Sequence, residues 1–226
     1  VILQLDTPGG SVEVTKAIIQ DMLASPVPIV VYVSPSGSQA ASVGTFITLA
    51  AHVAAMAPGA SIGAASPVSL DGGEIDATLQ AKITNILSAD IENLAARRGE
   101  EATEWAIAAV QDAAAATASQ ALELGVIDLI ATDVDDLLAQ LDSHEVTVRG
   151  ETRRLNTAGA VQMPLDLTPL QRFLNLISNP TIASILLTLG ILGLVVEIRT
   201  PGFGFAGIVG IVSLLLAFYG LGQRSS

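Results

Sequence analysis

The chain has 226 residues, 50% of them hydrophobic and 14% charged, with a mean hydropathy of +0.59. That balance excludes a disordered chain and an ordinary soluble enzyme, and a net charge of −12 with 4% aromatics argues against a nucleic-acid surface, which needs a basic face. With no cysteine there is no disulfide, thiolate nucleophile or cysteine metal site, and His52 and His144 are too widely spaced for a His-rich one.

Val1–Asp6 reads as an apolar strand entered without an initiator Met or signal peptide, so upstream residues are expected in the natural protein. Thr7-Pro8-Gly9-Gly10 is a turn, after which Ser11 can cap a helix reaching Leu23. Val27–Val33 is a β-branched buried strand and Ser34–Ser38 a loop. The small apolar stretch Ala40–His52 reads as a buried helix, followed by a short strand at Val53–Ala57 and a Pro58-Gly59 turn. Ser66–Asp76, with Pro67, Asp71, Gly72 and Gly73, reads as a mobile loop that could close over a ligand. Helices are expected over Ala77–Arg98 and Glu100–Ala114, and Thr117–Gln120 has capping-box form for a short helix ending at Gly125. A strand at Val126–Ala131, a helix at Val134–Leu141 and a hairpin around Arg149-Gly150 follow. This alternation predicts βαβ units and a mainly parallel sheet covered by helices.

Composition then changes. Residues 1–165 carry 20 acidic and 7 basic side chains, residues 166–226 only 2 and 3. Thr168–Ser178 places Leu170, Phe173, Leu174 and Ile177 on one face, as in an interfacial helix leading into a bilayer. Phe173–Val196 and Thr200–Gln223 are each 24 residues without a charge, and a spanning helix needs roughly 20. Spans are expected near 181–198 and 205–221, joined by a Pro-Gly turn. Their glycines (Gly190, Gly193, Gly207, Gly210) suit close helix packing. Arg199 and Arg224 pull the positive-inside rule in opposite directions, so charge leaves the orientation open. The expected organisation is a domain over 1–141, a hairpin and interfacial linker over 142–180, and a transmembrane hairpin over 181–222.

Three segments could carry chemistry. The Asp6–Gly10 turn can aim backbone N–H groups at a ligand, since no Cβ blocks the approach; alone it reads first as a structural turn. Ser42, in Ala40-Ala41-Ser42-Val43-Gly44, stands where a helix begins, with small flanking residues that admit a carbonyl; alone it reads as a cap. Lys16 and Lys82 are the two lysines. Lys82 has apolar sequence neighbours, whose desolvation would favour a neutral amine, although a solvated surface lysine reads the same way. Lys16 is expected to be solvated, with Asp21 nearby.

Together these segments resemble the Clp-protease/crotonase fold, and within it the membrane-bound serine proteases of the NfeD family, relatives of signal peptide peptidase A. Asp6–Gly10 is similar to that family's oxyanion-hole turn, Ala40–Thr45 to its nucleophile segment and Met56–Ala64 to the following strand. Lys82-Ile83-Thr84-Asn85 is similar to the base segment, and Ala121–Asp128 to the last helix-strand of the domain. The fold implied is an α/β Clp-protease/crotonase-like domain of βαβ units followed by a transmembrane helical hairpin. The resemblance implies a serine endopeptidase with Ser42 as nucleophile, Lys82 as general base, the Gly10 and Val43 N–H groups as oxyanion donors and Gly9 as the supporting turn. Where Clp protease has its catalytic histidine this chain has Ala64-Ala65-Ser66, consistent with a Ser–Lys dyad. His52 does not substitute, because ten helical residues beyond Ser42 it would lie about 15 Å along the axis. No cofactor or metal is implied. The partners implied are a hydrophobic peptide or protein substrate, a stomatin-like membrane protein cleaved in its hydrophobic C-terminal region, membrane lipid and a possible homo-oligomer, with no nucleic acid. The protease domain is expected on the extracytoplasmic side. Two other readings stay open: an inactive membrane scaffold of the same fold, and a crotonase-type acyl-CoA enzyme.

Overall fold

Apolar strands buried on both faces pair in parallel and need helices to cover them, and the first part of the chain is built this way. The computed structural model describes residues 1–67, 76–199 and 204–222, in two units, Val1–Ala160 and Val161–Ser226. The first unit runs β1 (Ile2–Leu5), α1 (Val12–Ala24), β2 (Val30–Val33), β3 (Gln39–Ala41), α2 (Val43–Ala50), β4 (Val53–Met56), β5 (Ser61–Gly63) and α3 (Ala77–Ala95). A 3-10 turn at Ala96–Arg98 leads to α4 (Glu100–Gln111), β6 (Ala115–Thr117), α5 (Ala118–Glu123), β7 (Leu129–Ile130), α6 (Val134–Leu141), β8 (Glu145–Val148) and β9 (Glu151–Arg154).

The main sheet is all-parallel in the order β1-β2-β4-β7. Because side chains alternate along a strand, β2 feeds two cores. Val31 and Val33 pack with α2 and α3, while Val30 and Tyr32 pack with Leu137 and Leu141 of α6 and Val146 and Val148 of β8. The βαβ order expected for an α/β domain is therefore the one observed.

A second, smaller sheet was not expected. It has the order β3-β5-β6, with β3 parallel and β6 antiparallel to β5. The stretch Ala40–His52 is thus not one helix: Gln39–Ala41 is a strand and α2 begins only at Val43. The reason is pairing on both sides. Ala40 matches Ile62 of β5 on one edge and forms a parallel bridge with Thr7 on the other, and those ladder bonds override the helical preference of alanine. The expected strand Val126–Ala131 contracts to Leu129–Ile130, and the helix expected to reach Ala114 stops at Gln111. The loop expected at Ser66–Asp76 and the turn between the spans fall largely outside the described residues.

In the second unit, α7 (Pro169–Ile177) starts with a capping box between Thr168 and Gln171. It buries Ile177 and leaves Leu170, Phe173 and Leu176 exposed. α8 (Pro180–Arg199) and α9 (Phe205–Gly222) contain the stretches Thr181–Arg199 and Phe205–Gly222, each long and apolar enough to cross a membrane. They pack at glycine contacts: a Cβ on Gly193 would lie 2.9 Å from Gly210 Cα, so the backbones touch as small-residue packing allows. Glu197, at the end of α8, caps the start of α9 by accepting from the N–H groups of Gly204 (3.2 Å) and Gly207 (3.1 Å).

Candidate active site

The site grows from the crossing between the two sheets. After β1 the chain passes straight to the edge of β3. Thr7 N–H donates to Gln39 O (2.7 Å), Ala41 N–H donates to Thr7 O (3.0 Å), and Asp6 Oδ1 accepts from Gln39 N–H (3.0 Å). Thr7 Oγ1 then closes the turn that follows, donating to Gly9 O (2.9 Å) and accepting from Gly9 N–H (3.1 Å). Thus the glycine turn is tied to β3 immediately before Ser42.

Ser42 occupies the junction between β3 and α2, with φ 54° and ψ −119°. Such backbone is rare for a residue with a Cβ, costs on the order of 1–3 kcal/mol and persists only where surrounding structure imposes it. A strained strand-to-helix turn of this kind presents a serine Oγ outward instead of folding it onto the helix. Accordingly Ser42 is half-buried and its side chain makes no capping hydrogen bond. Its N–H donates to Gly63 O (2.9 Å) and its carbonyl accepts from Thr45 N–H (3.0 Å).

The glycine turn seats against this junction. Gly9 has φ +146°, and a Cβ there would lie 3.2 Å from Ser42 Cβ and 3.5 Å from Ser42 Oγ; only glycine gives this approach without strain. A Cβ on Gly10 would lie 3.4 Å from Val43 Cγ2. The N–H groups of Gly10 and Val43 have no acceptor among the described residues. Four of the five expected positions, Gly9, Gly10, Ser42 and Val43, are therefore brought together. The start of α2 adds a field favourable to negative charge, and its far end is neutralised by Arg97, which donates to Leu49 O (2.7 Å) and Ala51 O (2.6 Å).

Lys82 is placed differently from expectation. It lies in α3, whose buried residues are Leu87, Ser88, Ile91 and Ala95. Ile83, one residue on, packs against that core and Lys82 faces away, exposed and without a hydrogen bond or ion pair among the described residues. The apolar wall expected around it is not formed by those residues. Lys16 is half-exposed as expected, but its partner is Asp90 of α3 (2.9 Å), not Asp21. His52 lies just past the end of α2, where Nδ1 accepts from Ile29 N–H (3.1 Å). Burial, and then the Arg97 charge, hold its imidazole below the ordinary value, so it is a neutral structural acceptor. Among the described residues no group of three or more His, Asp or Glu could hold a metal ion.

Residues 1–151 match a family model described as the NfeD1b N-terminal domain, and residues 181–225 match the NfeD integral membrane domain. The chain is 37% identical over 227 residues to the membrane-bound protease PH1510 of Pyrococcus horikoshii, covering 98% of this chain and 51% of that protein. It spans about half the length of the curated relatives it matches. Among solved structures, it is similar to a lysine-to-alanine variant of the 1510-N membrane-bound stomatin-specific protease in complex with a substrate peptide. That match has a TM-score of 0.69 and 36% identity, covering 76% of this chain and 80% of that one. A serine-to-alanine variant of the same protease matches with a TM-score of 0.67 and 37% identity, covering 74% and 82%.

Proposed function

Since this chain belongs to the NfeD family, we propose that it is a membrane-anchored serine endopeptidase that uses Ser42 as nucleophile and Lys82 as general base. One observation carries the reading: Ser42 stands on a strained strand-to-helix turn with the Gly9-Gly10 turn packed against it. In the relative, the serine and lysine replaced by alanine are 41 positions apart, and Ser42 and Lys82 are 40 apart.

Neutral Lys82 takes the Ser42 hydroxyl proton as Oγ attacks the scissile carbonyl. The N–H groups of Gly10 and Val43 receive the oxyanion, an effect often worth about 3 kcal/mol per donor. The tetrahedral intermediate collapses as the amine leaves with the proton, and water then hydrolyses the acyl-enzyme. The substrate is a hydrophobic segment of a stomatin-like membrane protein, the class for which the relative is named. Lys82's exposure favours one other reading, a scaffold of this fold without catalysis. A fluorophosphonate probe on the detergent-solubilised chain separates the two. Covalent labelling that disappears in Ser42→Ala, together with cleavage of a peptide from the hydrophobic C-terminal region of a stomatin-like protein, is the expected result. An unlabelled, folded wild type would leave the scaffold.

The catalytic unit lies on the extracytoplasmic side, and α7 rests in the lipid headgroup region with Leu170, Phe173 and Leu176 toward the acyl chains, as suits an amphipathic helix two residues before a span. The absence of native cysteine makes single-cysteine labelling clean. In intact cells an impermeant maleimide should modify Glu145→Cys, and it should modify Asn175→Cys much faster than Phe173→Cys. Labelling of Glu145→Cys only after lysis would reverse the sidedness, and equal rates at 173 and 175 would remove α7 from the lipid.

A further inference from the structure

We propose that Thr45 is a positioning residue that fixes Ser42 for attack, an inference that rests on Ser42 being the nucleophile. Thr45 lies in the first turn of α2, three residues past Ser42, and is 0% exposed. Its hydroxyl does not bond within the helix. Oγ1 lies 3.0 Å from Ala40 O and 3.1 Å from Gly63 O, the carbonyls of β3 and β5 on either side of the Ser42 junction. One hydroxyl proton serves both acceptors, so the group ties the two strands together from beneath. Gly63 O is also the acceptor of the Ser42 N–H (2.9 Å), and Thr45 N–H donates to Ser42 O (3.0 Å). Thr45 therefore holds Ser42 at its carbonyl directly and at its N–H through the shared Gly63 carbonyl. The unfavourable φ of Ser42 needs such imposed restraint.

Thr48 shows what a purely structural hydroxyl in this helix looks like. It is equally buried, at 0%, and donates to Gly44 O (2.8 Å) one turn back in the same helix, with no bond to either strand. Losing either hydroxyl leaves a buried carbonyl short of a donor, at a similar cost. Only loss of the Thr45 hydroxyl removes a bond to the strands that set the Ser42 turn. Displacement of a reacting atom by about 1 Å can cost on the order of 100-fold in rate.

The test uses the full chain in detergent and compares wild type, Thr45→Val, Thr45→Ser and Thr48→Val by fluorophosphonate labelling rate and by kcat and KM for peptide hydrolysis. Thr45→Val should label and turn over about 10- to 100-fold more slowly with KM unchanged, Thr45→Ser should restore the rate, and Thr48→Val should match wild type. Wild-type labelling by Thr45→Val, or an equal fall in Thr48→Val, would overturn the inference. If Thr45→Val does not fold, Thr45→Ala against Thr45→Ser replaces it, since both lose the methyl and differ only in the hydroxyl. An unlabelled wild type instead fails the assignment of Ser42 itself and takes the inference with it.

Discussion

Ser42→Ala and Lys82→Ala should each lower peptide hydrolysis on the order of 10⁴-fold or more while the chain stays folded, because removing either partner of a nucleophile–base pair leaves only binding and oxyanion stabilisation. Lys82→Arg should be as inactive as Lys82→Ala although it keeps the charge, since guanidinium stays protonated and accepts nothing from Ser42 Oγ. Lys82 is exposed and α3 gives it no apolar wall, so on the proposed mechanism the bound peptide displaces the water around it. Long hydrophobic peptides should therefore be cleaved with a larger kcat than short polar ones. Lys16→Ala is the control. Its ion pair with Asp90 joins two half-exposed side chains, a contact worth about 1 kcal/mol at most. Hydrolysis rates of these variants decide the matter. If Lys82→Arg retained most of the activity, or Lys16→Ala abolished it, Lys82 would not be the base.

Gly63→Ala should be the most damaging glycine-to-alanine change among the described residues of the first unit. Gly63 has φ +126°, and a Cβ there would lie 2.3 Å from Ala114 O and 2.6 Å from Ala115 Cα. Both are backbone atoms, so relief requires β5 and β6 to separate. Overpacking and left-handed strain together give a loss of about 3–5 kcal/mol, a large part of the roughly 5–15 kcal/mol that holds a domain folded. The melting temperature should fall by about 10 °C or more. Because the Gly63 carbonyl holds the Ser42 N–H (2.9 Å), fluorophosphonate labelling should fall in whatever fraction remains folded. Gly99 supplies the comparison. Its φ is +110° but nothing lies within 4 Å of an added Cβ, so Gly99→Ala reports backbone strain without the clash. Thermal melts of the two variants separate the terms; similar melting points would mean that β6 does not press on Gly63 as described.

Local chemistry alone determined a good deal. Two long charge-free runs specify a membrane hairpin, because hydrocarbon demands about 20 apolar residues per span regardless of what surrounds them. The strand expected at Val27–Val33 was legible only in its Val30–Val33 part, since Val27 is exposed and precedes it, and the turn at Gly9-Gly10 was legible because freedom from a Cβ belongs to the residues themselves. Ser42 could be singled out by its small neighbours and its place at a helix start, and Thr45 left one weak signal, a hydroxyl three residues on in an apolar helix. The tertiary structure decided the rest. The second sheet is made of three-residue strands, too short to show a period, and Gln39–Ala41 becomes a strand only because Thr7 and β5 pair with its two edges. The Ser42 N–H and the Thr45 hydroxyl meet at the carbonyl of Gly63, in a strand well removed in sequence, and that shared contact is one no local spacing encodes. Lys82 and Ile83 look alike in their apolar sequence surroundings, yet one is exposed and the other packed on the core. A helix advances about 100° per residue, and which of two adjacent positions meets the core is fixed only by what packs against it.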